Sequence, residues 1–491
     1  MLSISQEDIR RRIQRDNPWW AHRQTVIPES VAPRRIYFAP FKSLALNFKV
    51  RRAAVLLGPR RVGKTFMIKQ LIHEAIQDGI NPCAIMYASI DTPIYSNISL
   101  QKFLDLMPKS AGPKLVIFDE IQYLRNWEVH LKDLVDHFPE IKFIASGSAA
   151  AALRLKSNES GAGRFSEFML PPLTFFEFLN FLEEDKELIE QKVGPQGFHE
   201  ATDIELLNRR FIDYLNYGGY PEAVFNAQIR NNPEQFIRND IIDKVLLKDL
   251  PSLYGIHEIQ DLNRLFSFLA YNAGNEASLE NISQASGISK PTIKRYIEYL
   301  ESAFLIIKLP TVDDNCRTIK RERNFKIYLN NPSMRAAIFA PVSSKDTDQI
   351  GHLAESAVFS QWQHAAGFRR LRYSRWRNEG EVDVVMLSEG KQKPVWVGEV
   401  KWSDRIEKHR AEEVGPMMTL IRKHRTITEA FYTTRTYQTL FYFEGKEVFV
   451  IPTALYCYTV GKNITADLTR LAAPKISTAT EVLDEEQASL L

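Results

Sequence analysis

Gly58-Pro59-Arg60-Arg61-Val62-Gly63-Lys64-Thr65 fits G-x-x-x-x-G-K-[ST] at every fixed position. The apolar run Ala53-Ala-Val-Leu-Leu57 enters it, and Ile68, Leu71, Ile72, Ala75 and Ile76 follow at the three-and-four spacing of a buried helical face. Strand, loop, helix is the setting that gives this motif its meaning. Gly58 and Gly63 let the backbone curl so that successive N–H groups point at phosphate oxygens, helped by the helix N-terminus. Lys64 is placed to reach the β- and γ-phosphates and Thr65 to hold Mg²⁺ through its hydroxyl. The stretch from Gly58 to Phe66 is therefore the candidate site for ATP.

Working outward, Lys114-Leu-Val-Ile-Phe-Asp119-Glu120-Ile121 is an apolar strand with two acids at its C-terminal end, where open α/β sheets bind ligands. Asp119 suits the Mg²⁺ shell, and Glu120 suits orienting the attacking water. Phe143-Ile-Ala-Ser146 runs into Gly147-Ser148; its hydroxyl is either a γ-phosphate sensor or part of an ordinary strand-end turn. Arg164 is a candidate for stabilising transition-state charge, in its own subunit or a neighbour's, with a plain surface arginine as the alternative. With a further strand at 84–87, residues 33–205 alternate strand and helix, which predicts a parallel α/β sheet. Residues 1–32 form an arm whose Asn17-Pro18-Trp19-Trp20 either packs on this domain or docks elsewhere.

Gly58–Thr65, Asp91, Asp119-Glu120-Ile121-Gln122, Trp127-Glu128, Ser146-Gly147-Ser148, Gly163-Arg164 and Pro172-Leu-Thr-Phe-Phe-Glu-Phe178 together resemble a widespread prokaryotic group of AAA-type P-loop ATPases. Members of that group carry a C-terminal domain of unknown function, and Tyr217-Gly-Gly-Tyr-Pro-Glu222 looks like its start. The resemblance runs to about residue 455. It implies ATP hydrolysis with Mg²⁺ and sites at subunit edges, hence a homo-oligomer, with a ring as one form.

Residues 206–335 read as mostly helical. Within them Ser278–Leu300 reads as helix, tight turn, helix: Ser278 caps a short helix ending at Gly287, and Ser289 caps the next, with Pro291 in its first turn. Ile293, Ile297 and Leu300 face the core. Lys290, Thr292, Lys294 and Arg295 are left where a recognition helix meets a major groove. The strand Phe304–Leu309 and the basic Arg317, Lys320, Arg321, Arg323 and Lys326 complete a winged-helix candidate. The bland alternative is a scaffold between domains.

Residues 336–460 return to mixed α/β. Gly380-Glu-Val-Asp383 and Pro394-Val-Trp-Val-Gly-Glu399-Val-Lys401 read as adjacent strands that bring Asp383 and Glu399 together, a hard-cation site for Mg²⁺ or Mn²⁺. Lys401, two residues on, faces the same side as Glu399. Glu355 joins from a helix. The D…ExK pattern with its helical Glu resembles the PD-(D/E)XK nuclease superfamily, against the alternative of acids paired to local arginines. Phe368-Arg369-Arg370-Leu-Arg372-Tyr-Ser-Arg375-Trp-Arg377 interleaves arginines and aromatics, suiting either nucleic-acid contact or a solvated strand edge. Residues 461–491 read as a loosely held tail.

At 491 residues several domains are expected, and 44% hydrophobic and 25% charged residues are those of a globular protein. A net charge of +3 requires any basic surface to be local. Cys83, Cys316 and Cys457 are isolated, and no apolar run has membrane-spanning length, so a cytoplasmic chain is expected. No Ser-His-Asp, Cys-His or glycosidase arrangement stands out. The expected function is ATP-driven action on DNA by a winged-helix and a metal-dependent nuclease-like module. Its alternatives are a DNA-remodelling protein with a silent nuclease fold, and a scaffold ATPase that binds proteins.

Overall fold

The computed structural model describes residues 5–22, 25–95, 98–148, 163–191, 199–313, 315–316, 324–376, 380–390 and 393–472. They form two compact units, whose larger parts are 1–171 and 172–466.

In the first unit, β1 (Ala53–Leu57), β2 (Ile85–Ser89), β3 (Lys114–Asp119), β4 (Ile141–Gly147) and β5 (Phe165–Met169) form one sheet in the order β2-β3-β4-β1-β5. Every pairing is parallel. β1 is wholly buried, as a strand covered on both faces must be. β5, at the edge, is only half-buried, so Phe165-Ser-Glu-Phe-Met169 lacks the apolar run that revealed the others. Helix α1 (Gln6–Asp16) belongs to the arm, and α2 (Lys64–Gln77) buries Ile68, Leu71, Ile72 and Ala75.

The arm packs on this unit. The Asn17 side chain donates to Tyr87 O at 2.8 Å and accepts from Tyr87 N at 2.7 Å, pairing with edge strand β2 as another strand would. The Trp19 and Trp20 indole N–H groups both donate to Ile85 O. The exposed edge of β2 is thereby covered.

The second unit contains a two-stranded ladder, β6 (Ile189–Gln191) and β7 (His199–Ala201). After helical segments over 204–254 come α3 (Ile259–Tyr271), β8 (Glu276–Ser278), α4 (Leu279–Ser286), α5 (Lys290–Ser302), β9 (Ile306–Val312) and β10 (Asn324–Leu329). Both sequence-predicted caps form: Ser278 accepts from Asn281 N, and Ser289 from Thr292 N. Gly287 ends α4 in the left-handed region at φ 73°.

Then follow α6 (Thr347–Trp362), β11 (Leu371–Trp376), β12 (Gly380–Leu387), β13 (Pro394–Glu399), α7 (Arg410–Lys423), β14 (Glu429–Thr434), β15 (Thr439–Phe443), β16 (Lys446–Pro452) and α8 (Thr453–Ala472). One nine-stranded sheet runs β15-β16-β14-β13-β12-β11-β9-β10-β8. It crosses the expected 335/336 boundary through the parallel β9–β11 pairing. β11 is therefore an interior strand, not the solvated edge offered above as an alternative. Residues 461–472, expected to open a loose tail, continue α8, because Val460 and Ile464 are buried at i,i+4 spacing.

A bulge interrupts β12: Arg372 pairs with Val385, but Ser374 pairs with Val382, leaving one extra residue at 383–384. Val384 and Met386 join the apolar cluster that includes α6, whereas Val382, Val385 and Leu387 join the one under α7. The alternation slips beside Asp383.

Gly398, next to Glu399, lies against Phe431: a Cβ there would fall 2.1 Å from the ring. That ring is held by Tyr456, stacked at 4.5 Å. Gly398→Ala should destabilise the second unit by about 1–3 kcal/mol through overpacking. Urea unfolding with a probe in that unit checks it; an unchanged midpoint would mean that the ring yields.

Candidate functional site

The loop after β1 is built by close approach. A Cβ on Gly58 would fall 2.2 Å from Leu170 O, so no other residue fits without moving backbone. Gly63 adopts φ 95° at the N-cap of α2. Lys64 is only 5% exposed, and its Nζ donates to Gly58 O at 3.0 Å and Pro59 O at 2.6 Å. Val62 is buried, Arg61 takes φ 64°, Arg60 bonds the Tyr123 hydroxyl at 3.3 Å, and Phe66 is exposed.

Asp119, 1% exposed, gathers the rest. Its Oδ2 accepts from Thr65 Oγ1 at 2.9 Å and from the Tyr87 hydroxyl at 2.8 Å. Its Oδ1 accepts from the Ser146 hydroxyl and from Glu120 N at 3.1 Å. Glu120 turns into the left-handed region at φ 52°, a conformation that a non-glycine residue keeps only when its surroundings impose it. Burial raises the Glu120 carboxyl above its ordinary range, opposed by the Lys64 ammonium. Gln122 donates to that carboxyl and accepts from Ser148 N. Phosphate-cradling glycines, a buried lysine and a threonine–aspartate pair suit ATP with Mg²⁺, which Thr65 and Asp119 would hold.

Tyr87 carries this network without having been singled out, and Gln122, quoted only within the resemblance, carries it without having been given a role. A tyrosine in a buried strand needs a partner for its hydroxyl, and that was the available signal for Tyr87. Arg164 lies at the N-terminal end of β5, opposite the P-loop end, ion-paired with Asp136. Any action at an ATP site would be on a neighbouring subunit's.

In the second unit the β12–β13 register, Val384↔Gly398, sets Asp383 and Glu399 next along the ladder. β13 ends at Glu399, so strand parity is not what delivers Lys401. Its Nζ still reaches Asp383 Oδ2 at 2.9 Å and Glu399 Oε2 at 3.0 Å. Glu355, on α6, accepts from the Tyr328 hydroxyl at 2.8 Å. Lys326, from β10, contacts Glu355, Glu381 and Asp383. Burial pushes the Asp383 carboxyl up, but Lys401 and Lys326 outweigh it and hold it below the usual range. Burial, then the Asp383 charge, raises Glu399 well above its ordinary value and Glu355 to about 7.

Glu399 Oε1, buried with no hydrogen-bond partner among the described residues, suits a hard cation. Yet no three His, Cys, Asp or Glu side chains among the described residues converge as a metal-binding group, and two ammoniums already pair with the four acids, of which Glu399 and Glu355 are raised toward their neutral forms. As it stands the cluster is lysine-balanced and does not fit a resident metal.

Of the DNA-contact candidates, Lys290, Lys294 and Arg295 are exposed at the start of α5, and Thr292 is half-buried. Lys290 pairs with Glu280. Arg369 and Arg375 are exposed, whereas Arg370 and Arg372 are half-buried and Tyr373 is buried, so the strip is not continuous. Arg377 lies outside the described residues, as do Arg317, Lys320, Arg321 and Arg323.

A family model described as an AAA domain matches residues 50–179. This stretch is an AAA-type P-loop ATPase domain. A second model, a domain of unknown function (DUF8612), matches 208–346, the stretch holding α3 to α5 and β8 to β10. An uncharacterised protein of Methanocaldococcus jannaschii is 26% identical over 362 residues, 72% of this chain and 76% of its own length. One from Haemophilus influenzae is 27% identical over 270 residues, 53% of this chain and 62% of its own length. A RuvB mutant of Thermotoga maritima aligns over 55% of this chain and 89% of its own at 17% identity, with a TM-score of 0.28. AMPPCP-bound DnaA of Aquifex aeolicus aligns over 54% and 86% at 15% identity, with a TM-score of 0.27. Scores this low do not establish a shared overall fold. No described helix is long and apolar enough to cross a membrane.

In the AAA domain, Lys64→Ala should lose most ATP affinity, whereas Glu120→Gln should bind ATP and hydrolyse it about 10²-fold more slowly. Nucleotide binding and single-turnover hydrolysis separate the two effects. Wild-type turnover in both variants would refute the assignment.

Proposed function

We propose that this chain is an ATP-hydrolysing protein that acts on DNA through its second unit, with nucleotide state controlling that unit. The P-loop cradle with Asp119 and Glu120 supports the first half of this reading. Lys64 binds phosphate charge, Asp119 keeps Thr65 in place, and Glu120 orients and deprotonates the attacking water. Mg²⁺, when bound at Thr65 and Asp119, offsets the charge that develops on the phosphates. Arg164 completes a neighbour's site in a homo-oligomer, for which a ring is one arrangement. Hydrolysis per chain should therefore rise with protein concentration; activity independent of dilution from a strict monomer would refute this.

The observation that carries DNA action is the helix pair at 279–302. A left-handed glycine turn and a serine cap leave Lys290, Lys294 and Arg295 exposed at the start of α5. With β8 and the β9–β10 hairpin this is the element order of a winged helix, and the α5 start would enter a major groove. Arg369, Arg370, Arg372, Arg375 and Arg377 would add phosphate contacts. Changing Lys290, Lys294 and Arg295 to alanine should weaken DNA binding and flatten its salt dependence. The slope of log affinity against log salt drops by roughly 0.9 per lost contact. An unchanged slope would leave the helix pair as scaffold.

Asp383, Glu399, Lys401 and Glu355 match the PD-(D/E)XK pattern, and on this reading the unit is a phosphodiester-cleaving module. The lysine balance of the cluster favours a second reading, a nuclease fold that binds DNA without cutting it. Incubating linear, branched and single-stranded DNA with Mg²⁺ or Mn²⁺, with and without ATP, separates the two. Cleavage abolished by Asp383→Ala supports the first, and salt-sensitive binding without cleavage the second.

A further inference from the structure

We infer that Lys326 is a built-in cation of the carboxylate cluster, filling the place between Glu355, Glu381 and Asp383 that a divalent ion would otherwise take. The inference deepens the nuclease-like reading above and rests on it. The Lys326 side chain is 4% exposed, and its Nζ lies 3.5 Å from both Glu355 Oε2 and Asp383 Oδ1 and also contacts Glu381. The acids come from two elements, α6 and two positions of β12, and the lysine from a third, β10. The Tyr373 ring, 5.5 Å from the ammonium, walls it in.

Lys401 holds the other oxygen of Asp383, so each oxygen of this acid faces an ammonium. Lys326 is the unexpected one of the two, because it comes from the hairpin that follows the helix pair. A lysine is almost never buried without paired acids, and these acids would be equally costly to bury without a cation. An ammonium on the chain meets that need at the cost of its own desolvation, which the charges of Glu355, Asp383 and Glu381 offset, and it bars a second positive charge from the same space. Glu399 Oε1 remains without a hydrogen-bond partner among the described residues, leaving one oxygen ready for an ion once Lys326 is removed. Because β10 supplies the lysine, displacement of the hairpin would open the cluster, and the hairpin is part of the element proposed to meet DNA.

The test is Mn²⁺ binding to the full chain without nucleotide, read by electron paramagnetic resonance and calorimetry. Asp383→Asn identifies which bound Mn²⁺ belongs to this cluster. Wild-type protein and Lys326→Arg should show no Asp383-dependent site below millimolar Mn²⁺. Lys326→Met should gain one, at least tenfold tighter, and lose it again when Asp383→Asn is added. Lys326→Gln, which keeps a donor but no charge, should behave like Lys326→Met and serves if the latter fails to fold, with circular dichroism as the check. An Asp383-dependent site in wild-type protein as tight as in the variants overturns the inference without reference to folding. So does a folded Lys326→Met or Lys326→Gln that gains no site. If the variants gain Mn²⁺ yet cut no DNA, the cleavage reading fails while the role of Lys326 stands.

Discussion

Asp119 ends a buried parallel strand, and each oxygen of its carboxylate accepts two hydrogen bonds: Thr65 and Tyr87 on one, Ser146 and the Glu120 amide on the other. A buried carboxylate must be satisfied, so the four donors are drawn to one point. They come from α2, β2, β4 and the turn after β3, and the single acid thereby fixes the relative positions of the P-loop helix and three neighbouring strands. Glu120 lies in the left-handed region, and its own amide donates to Asp119 Oδ1 and to Ser146 Oγ. The arm extends this order outward, because Asn17 brackets the backbone of Tyr87, whose hydroxyl is one of the four donors.

The second unit obeys the same rule with opposite charge. Lys326 and Lys401 are drawn in by acids that cannot be buried alone, and the acids by the lysines. The consequence is structural continuity. β10 belongs in sequence to the helix-pair segment, yet it lies in the same sheet as β12 and β13 and sends its lysine into their cluster. The bulge at 383–384 is the local device that lets one strand present Asp383 beside Val384 while Val382 and Val385 serve the opposite core.

Much of this was legible in the residues because the physics is local. A glycine-rich loop between an apolar strand and an amphipathic helix has one use, and its geometry follows from the absence of two Cβ atoms. Strands β1 to β4 announced themselves because burial on both faces demands unbroken apolar runs, and Ser278, Gly287 and Ser289 because caps are set within a single turn. β5 did not, since its residues stay half-buried whereas the arm covers the other edge strand, β2, and α8 was missed because its burial depends on a surface that only the folded sheet supplies.

The sequence by itself pointed to the P-loop with Asp119 and Glu120, and to Asp383, Glu399, Lys401 and Glu355 but not Glu381 in the second cluster, because charge and backbone curvature dictate the residue types of such motifs. Only the tertiary structure decided that Tyr87 and Gln122 complete the first site, that Arg164 sits at the far end of its strand, and that Lys326 enters the second. Apart from the Gln122 bond to nearby Glu120, those contacts join residues at least 26 positions apart in the chain, such as Tyr87 with Asp119 and Lys326 with Asp383 at 32 and 57. Pairing of that kind follows from strand order and from the cost of burying an uncompensated charge, neither of which a local motif encodes.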